Sequence, residues 1–368
     1  MKLLECSRDD LLLPLQTVSG IVERRHTLPI LSNVLLERSD DALMLLATDL
    51  EIQICSRSPV VSQAGLTTIT TSARKLQDIL RALPPDAKVS LESSGNRLQL
   101  KSGRSRFTLQ TLPAEDFPRL AAGTEALAEV SLPQKALRSL LLLVHYAMAQ
   151  QDIRYYLNGL LLSLEGNELR VVATDGHRLA FAKTDLEEQH ARHEVVLPRK
   201  AVLELCKLLE ENDEPIRIGL LGNQVRFDFG TVELFTKIVD GKFPDYARVI
   251  PSGHKNLITV ERVALLQALQ RTAILSNDKF RGVRWVLTEN NLRVSCTNTE
   301  QEEAQEEMEP QYSGTAIDIG FNVNYLLDVL NALSGTHVQC AFGDASSSVL
   351  MTDPGLENFK YVIMPMRI

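Results

Sequence analysis

The chain has 368 residues, of which 44% are hydrophobic and 23% charged, and its 47 acidic and 39 basic side chains give a formal net charge of −8. This composition predicts a folded protein of two or three domains and excludes wholesale disorder. Uninterrupted apolar runs such as Leu140–Val144 are too short to cross a bilayer. Acidic residues at Glu5, Asp9 and Asp10 argue against a secretion signal.

The cysteines are scattered, odd in number and never spaced as Cys-x-x-Cys, so we expect neither a disulfide framework nor a zinc site. No other metal or cofactor motif is evident, and a reducing cytoplasm is the simplest location. The acidic balance also disfavours a nonspecific nucleic-acid coat, although it allows locally concentrated positive charge. The cysteines are Cys6, Cys55, Cys206, Cys296 and Cys340.

Apolar residues recur every three to four positions in six segments, a pattern typical of amphipathic helices. Proline is tolerated in a first helical turn, so we place Pro14, Pro133 and Pro198 near helix starts. The runs between these segments predict strands that outnumber the helices, which indicates an α+β fold with largely antiparallel sheets. In chain order the predicted helical segments are Ser7–Arg25, Ala73–Ala82, Pro133–Met148, Pro198–Leu209, Glu261–Thr272 and Asn322–Leu333.

The chain repeats itself at a period of about 125 residues. A Thr-Asp or Thr-Asn pair closes an apolar strand pair at Thr48, Thr174 and Thr297, with spacings of 126 and 123 residues. Similar Arg-Lys pairs near helix starts, at Arg74 and Arg199, lie 125 residues apart. The sequence therefore predicts three tandem domains, 1–125, 126–253 and 254–368, each with two helices.

Positive charge is concentrated in the predicted helices. The six segments carry a net +6, which leaves −14 for the strands and loops. Two interpretations remain open: helices favour Lys and Arg for reasons of propensity, or the helices together form a surface that neutralises backbone phosphates without reading sequence.

Several long motifs closely resemble the beta subunit of bacterial DNA polymerase III, the sliding-clamp family. The similarity runs over the whole chain and includes its length and threefold repeat. It implies three copies of a DNA-clamp domain, with helices packed on antiparallel sheets, that form half of a ring. The motifs are Gln151–Gly159, Thr174–Leu179, Phe280–Arg284 and Tyr361–Ile368.

The resemblance implies that the protein is not an enzyme. It implies a head-to-tail homodimer that encircles duplex DNA, without sequence specificity, and tethers the replicative polymerase, the clamp loader and other proteins with clamp-binding motifs. We therefore expect a cytoplasmic, nucleoid-associated protein without a membrane partner. By the same resemblance, the DNA-binding candidates are Arg25, Arg74, Gln151, Tyr155, Arg199, Lys200 and Arg281.

Head-to-tail closure requires two different, complementary margins. The strand-like segment Lys101–Phe107 is basic, whereas Glu300–Glu307 is strongly acidic, and pairing them would satisfy exposed strand edges and set the register. A solvated acidic edge is the alternative interpretation of the glutamate run. With the apolar positions that the family implies, the predicted dimer-interface residues are Arg104, Arg106, Phe107, Ile274, Leu275, Glu302, Glu303 and Glu306.

The resemblance also implies a pocket between the second and third domains that binds short peptide motifs with a Gln and terminal Leu or Phe anchors. Methionine near the chain end suits a surface that accepts several peptides. The predicted pocket residues are Arg154, Leu157, Thr174, Gly176, His177, Arg178, Leu179, Pro244, Arg248, Val249, Asn322, Tyr325, Ser346, Val362, Met364, Pro365, Met366 and Arg367.

Two other functions compete with a clamp. A DNA-binding protein that does not close into a ring would bind linear and circular DNA equally. A hydrolase centred on Asp175 and His177 would require a nucleophile or metal motif, and the sequence contains none beside them.

Overall fold

The computed structural model describes residues 2–23, 27–38, 42–58, 67–120, 125–277 and 279–367. Six α-helices lie in these ranges, each within or next to a predicted segment. No helix among the described residues is both long and apolar enough to span a membrane. The helices are α1 (Arg8–Ser19), α2 (Ala73–Ala82), α3 (Gln134–Val144), α4 (Arg199–Leu208), α5 (Arg262–Ala273) and α6 (Val323–Ala332).

The strands of the described residues outnumber the helices, as predicted, and every strand pairing is antiparallel. They are β1 (Lys2–Ser7), β2 (Asn33–Arg38), β3 (Leu43–Thr48), β4 (Ile52–Ser58), β5 (Thr67–Ser72), β6 (Lys88–Ser94), β7 (Arg97–Ser102), β8 (Ser105–Gln110), β9 (Ala128–Pro133), β10 (Gly159–Thr174), β11 (Arg178–Pro198), β12 (Pro215–Leu220), β13 (Gln224–Phe229), β14 (Val232–Lys237), β15 (Asn256–Glu261), β16 (Gly282–Thr288), β17 (Asn291–Thr297), β18 (Glu303–Met308), β19 (Ile317–Asn322), β20 (His337–Phe342), β21 (Val349–Asp353) and β22 (Leu356–Ile363).

The chain divides into two compact units, which do not follow the predicted boundaries. The first unit comprises residues 1–135 and 207–238, and the second comprises 136–206 and 239–368. The predicted second domain is divided because its strands join two different sheets: β14 pairs with β4, and β11 pairs with β22. The limits 1–125, 126–253 and 254–368 therefore stay a prediction.

The first unit contains an eight-stranded sheet, in the order β5-β2-β3-β4-β14-β13-β12-β9, and a four-stranded sheet, β1-β6-β7-β8. Helix α1 begins where Ser7 Oγ accepts from the Asp10 amide and Asp10 Oδ2 accepts from the Ser7 amide, a reciprocal cap. Its predicted apolar face is buried, with Leu11, Leu15 and Val18 fully inaccessible to solvent. The helix periodicity thus identified the core face correctly.

The second unit contains a six-stranded sheet, β10-β11-β22-β21-β20-β15, and a four-stranded sheet, β18-β17-β16-β19. Helices α5 and α6 contact each other. The only tryptophan of the chain, Trp285, is buried against Phe321 and Phe342, with ring centroids 5.4 and 6.4 Å away. This aromatic cluster anchors the β16–β19 sheet.

The Thr-Asp and Thr-Asn repeats form one recurring turn. In the first copy, Thr48 Oγ1 donates to the Ile52 carbonyl at 2.9 Å. In the second, Thr174 Oγ1 donates to the Arg178 carbonyl at 2.6 Å. In the third, Asn298 Oδ1 caps the amides of the residues that follow, as the aspartates do in the other copies. The repeat predicted from sequence spacing is confirmed at the level of hydrogen bonds.

A second repeated contact was not predicted. Arg8, the first residue of α1, donates Nε to the Leu80 carbonyl of α2 at 2.8 Å. Arg262, the first residue of α5, donates Nη1 to the Leu330 carbonyl of α6, also at 2.8 Å. Each arginine satisfies a last-turn carbonyl of the neighbouring helix.

Some local expectations were wrong. Helix α1 ends at Ser19 rather than at Arg25. The next residue is Gly20, and glycine has a low helix propensity. Pro14 lies inside α1 instead of near its start. Pro133 and Pro198 do lie near helix starts, since they end strands β9 and β11 one residue before α3 and α4 begin.

Candidate functional site

Three segments of the second unit meet around the Thr174–Leu179 motif. Leu179 pairs with Val362 between β11 and β22. After β22, the Met364 amide donates to the His177 carbonyl and the Met366 amide donates to the Gly320 carbonyl, both at 2.9 Å. The chain end is therefore held between the β10–β11 turn and the strand that leads into α6.

The turn between β10 and β11 is closed by hydrogen bonds to the Asp175 side chain. Asp175 Oδ1 accepts from the amides of His177 and Arg178, at 2.9 and 3.0 Å. Gly176 has a φ of +89°, and a Cβ there would lie 3.1 Å from Arg154 Nη2 and 3.2 Å from Nη1. The lack of a side chain at 176 lets the Arg154 guanidinium rest on the turn.

Arg154 is itself oriented by Asp152. Its Nε and Nη2 donate to the two carboxylate oxygens at 3.0 and 2.9 Å. This pairing with Arg154 lowers the pKa of Asp152 to about 2. Arg154 therefore carries a charged partner throughout the neutral range.

Arg178 is the most highly connected side chain of the motif. Nε donates to Asp175 Oδ2 at 3.1 Å, Nη1 to Asp328 Oδ2 at 2.5 Å, and Nη2 to the Tyr146 carbonyl at 2.6 Å. Its guanidinium carbon lies 4.4 Å from the centroid of the Tyr325 ring. Burial opposes the charge, but Tyr361 and the two carboxylates outweigh it and raise the pKa of Arg178 above its usual value.

Below the turn lies an apolar floor with an apolar rim. Leu179, Val362 and Phe243 are buried in one cluster. At the rim, Met364 is 49% and Val249 43% exposed. A buried floor beside exposed apolar side chains can bind the apolar anchors of a short peptide.

The structure brings together most of the predicted pocket residues but not all. Leu157 is buried and packs inside the unit. Arg248 pairs with Asp245 at 2.9 Å, and Ser346 donates to Asp344. Asn322 caps α6. Pro244 is exposed and follows Phe243 of the buried cluster. Pro365 and Arg367 lie in the terminal segment after β22, where Arg367 is exposed.

Sequence reasoning missed the side chains that support the pocket: Asp152, Tyr146, Asp328 and Tyr361. Tyr361 donates to the Tyr325 carbonyl at 2.9 Å, and burial raises the pKa of both Tyr361 and Tyr146. Only Asp328 had a local signal, because it lies three residues after Tyr325 and so shares its helix face.

The structure offers no catalytic role for Asp175. Both of its oxygens accept hydrogen bonds from its own turn or from Arg178, so the carboxylate is a structural acceptor. His177 is exposed, and its backbone carbonyl binds the terminal segment.

The DNA-binding candidates are distributed over both units. Arg25 lies outside the described residues. In the first unit, Arg74 is exposed on α2 and lies 3.9 Å from Asp78. In the second unit, Gln151 and Tyr155 are exposed, whereas Lys200 and Arg281 are partly buried.

Arg199 links this set to the loop before β10. Its amide donates to the Asn158 carbonyl at 3.1 Å, and its Nη1 donates to the Met148 carbonyl at the same distance. Burial, followed by repulsion from Arg178, lowers the pKa of Arg199. Its guanidinium is thus partly committed to holding the loop that carries Gln151 and Tyr155.

Both predicted margins are edge strands. In the first unit β8 ends its four-stranded sheet, with Arg104 and Arg106 exposed and Phe107 partly buried. Lys101 pairs with Glu92 at 2.6 Å, so the exposed charge of this margin comes from the two arginines.

In the second unit β18 ends its sheet and carries Glu303, while Glu302 accepts from Asn298 just before it. Glu306 is held by Arg271 of α5, at 2.7 and 2.8 Å. Ile274, at the end of α5, is 77% exposed, and Leu275 is partly buried.

Comparisons with known proteins agree with this geometry. The family models for the N-terminal, central and C-terminal domains of the DNA polymerase III beta subunit match residues 1–121, 131–245 and 247–367. The chain belongs to the DNA polymerase III beta subunit family. It is 47% identical over 362 residues to the beta sliding clamp of Pseudomonas putida KT2440, covering 98% of each chain.

Solved structures of family members confirm the fold. The crystal structure of the DNA polymerase III beta subunit from Pseudomonas aeruginosa matches with a TM-score of 0.96 and 46% identity over 100% of both chains. A sliding clamp from the same organism, bound to griselimycin, matches with the same TM-score and identity over 99% of both. The prediction of three tandem clamp domains, each with helices and antiparallel sheets, is confirmed, and so is the prediction of a non-enzymatic processivity factor.

Proposed function

We propose that this protein is a sliding clamp that closes head to tail with a second copy around duplex DNA and keeps the replicative polymerase on its template. The observation that carries the proposal is the match to a beta sliding clamp over 98% of the chain. We place the clamp in the cytoplasm, on the nucleoid, with the domain limits 1–125, 126–253 and 254–368.

Edge strands β8 and β18 support the head-to-tail closure. Unpaired backbone groups at a sheet edge favour addition of another strand. The exposed charge of β8 is basic and that of β18 acidic, so unlike edges attract and like edges repel. Exposed Ile274 and partly buried Phe107 would supply the apolar part of the contact.

The DNA contacts that we propose suit sliding. A ring that reads bases would meet a barrier of about 1–3 kcal/mol for each good bidentate contact. Polar side chains that reach phosphates directly or through water avoid this barrier. Those that we propose are Arg74, Gln151, Tyr155 and Lys200. We include Arg25, Arg199 and Arg281 in this set.

We propose that the pocket around Arg178 binds the short motifs of the polymerase, the clamp loader and other partners. The buried Leu179–Val362 floor would take apolar anchors, and the backbone and Arg154 at the rim would take polar ones. Since a related clamp binds griselimycin, this compound is a suitable competitor in binding assays.

Encirclement of DNA is tested by the topology of the DNA substrate. The clamp is loaded onto nicked circular DNA, and the circle is then cut with a restriction enzyme. Gel filtration measures how much protein stays on the DNA before and after the cut. We expect retention on the circle and release within minutes of linearisation. Equal binding to circles and linear DNA would contradict encirclement and favour a DNA-binding protein that does not close into a ring.

A further inference from the structure

Asp328 was not among the predicted pocket residues, yet its carboxylate contacts Arg178, the arginine at the centre of the pocket. It lies three residues after Tyr325 on α6, so the two side chains share one helix face. Arg178 meets both of them: Nη1 lies 2.5 Å from Asp328 Oδ2, and the guanidinium stacks on the Tyr325 ring.

Each donor atom of Arg178 reaches a different element. Nε binds Asp175 in the turn before β11, Nη2 binds the Tyr146 carbonyl just after α3, and Nη1 binds Asp328 in α6. The side chain of Arg178 is only 9% exposed, and a charge at this depth requires well-placed partners. Asp328 is the carboxylate that ties Arg178 to α6.

We propose that Asp328 is a positioning residue for peptide binding. It touches no part of the peptide. It holds the Arg178 guanidinium over the Tyr325 ring, so that the turn, the chain end and α6 are already arranged when a peptide arrives. A preformed pocket spends less binding free energy on ordering side chains. This inference rests on the peptide-binding function proposed above.

The test compares Asp328→Asn with wild type and with Asp318→Asn. Asp318 is a matched control, since it forms an exposed pair in the same unit with Arg284 rather than with Arg178. The probe is a fluorescein-labelled pentapeptide that begins with Gln and ends in Leu-Phe, with griselimycin as competitor. We expect about fivefold weaker binding for Asp328→Asn, as for loss of a charge-assisted contact, and unchanged binding for Asp318→Asn.

Two further variants separate positioning from general stability. Asp328→Glu keeps the charge and should recover part of the lost affinity. In an Arg178→Gln background, Asp328→Asn should cause no further loss, because the proposed effect passes through Arg178. Thermal unfolding of every variant is followed in parallel.

The outcomes are distinguishable. If the wild-type clamp fails to bind the peptide, the proposed pocket is wrong and this inference falls with it. If the wild type binds and Asp328→Asn binds equally well, the inference alone is overturned. Additive losses from Asp328→Asn and Arg178→Gln would also overturn it.

Discussion

The turns at Leu50 and Gly176 show why one residue matters in the pocket. Both occupy the same place after the Thr-Asp pair, and both have positive φ, +77° and +89°. Leucine in the first copy shows that this turn holds a side chain in the left-handed region despite its cost. Glycine in the second copy is therefore explained by the close approach of Arg154 rather than by backbone conformation alone.

Gly176→Ala should weaken peptide binding, because the new methyl group would displace the Arg154 guanidinium from the turn. The control is Gly222→Ala, at φ +72° with no atom within 4 Å of the added Cβ. Both variants should lose about 1 kcal/mol of unfolding free energy from left-handed alanine, measured by urea denaturation. Only Gly176→Ala should reduce peptide affinity; equal affinities would show that Arg154 needs no access to the turn.

At the scale of elements, β8 and β18 differ from the other strands in what their edges present. Lys101 stands opposite Arg106 in the β7–β8 register, and its ammonium group pairs with Glu92, so the exposed positive charge of this margin comes from Arg104 and Arg106. On β18, the pairing of Glu306 with Arg271 leaves Glu303 and Glu307 as the exposed carboxylates of the strand.

Charge reversal at both Arg104 and Arg106 to Glu should convert dimers into monomers in sedimentation velocity. The control reverses Lys88, which is exposed in β6, two strands away from β8 in the same sheet. Adding Glu303→Arg and Glu307→Arg to the monomeric variant should restore the dimer, because the margins are again of opposite charge. Dimers that persist after the first reversal would refute the pairing.

At the scale of the whole molecule, a net charge of −8 is compatible with DNA binding because the predicted helices carry a net +6. Proteins held on DNA by phosphate contacts lose about 10³–10⁵ in affinity between 50 and 200 mM salt when they make six to ten such contacts. Topological attachment does not depend on those contacts.

Retention on nicked circles should therefore change little as salt is raised from 50 to 200 mM, whereas residual binding to short linear duplexes should fall steeply. Both are measured by gel filtration of loaded complexes at each salt concentration. A parallel loss on circles and linear duplexes would show that phosphate contacts, and not encirclement, hold the protein on DNA.

The sequence by itself determined the six helices, the threefold repeat, the family and the opposite charges of two edge strands. These features depend on short-range periodicity, on spacing and on local composition, all of which can be read directly from the sequence. The tertiary structure alone decided that Asp328 contacts Arg178, 150 residues away in the sequence, that Arg271 forms an ion pair with Glu306, and that Leu157 is buried. Such contacts depend on how sheets and helices pack at long range, which residue spacing does not encode.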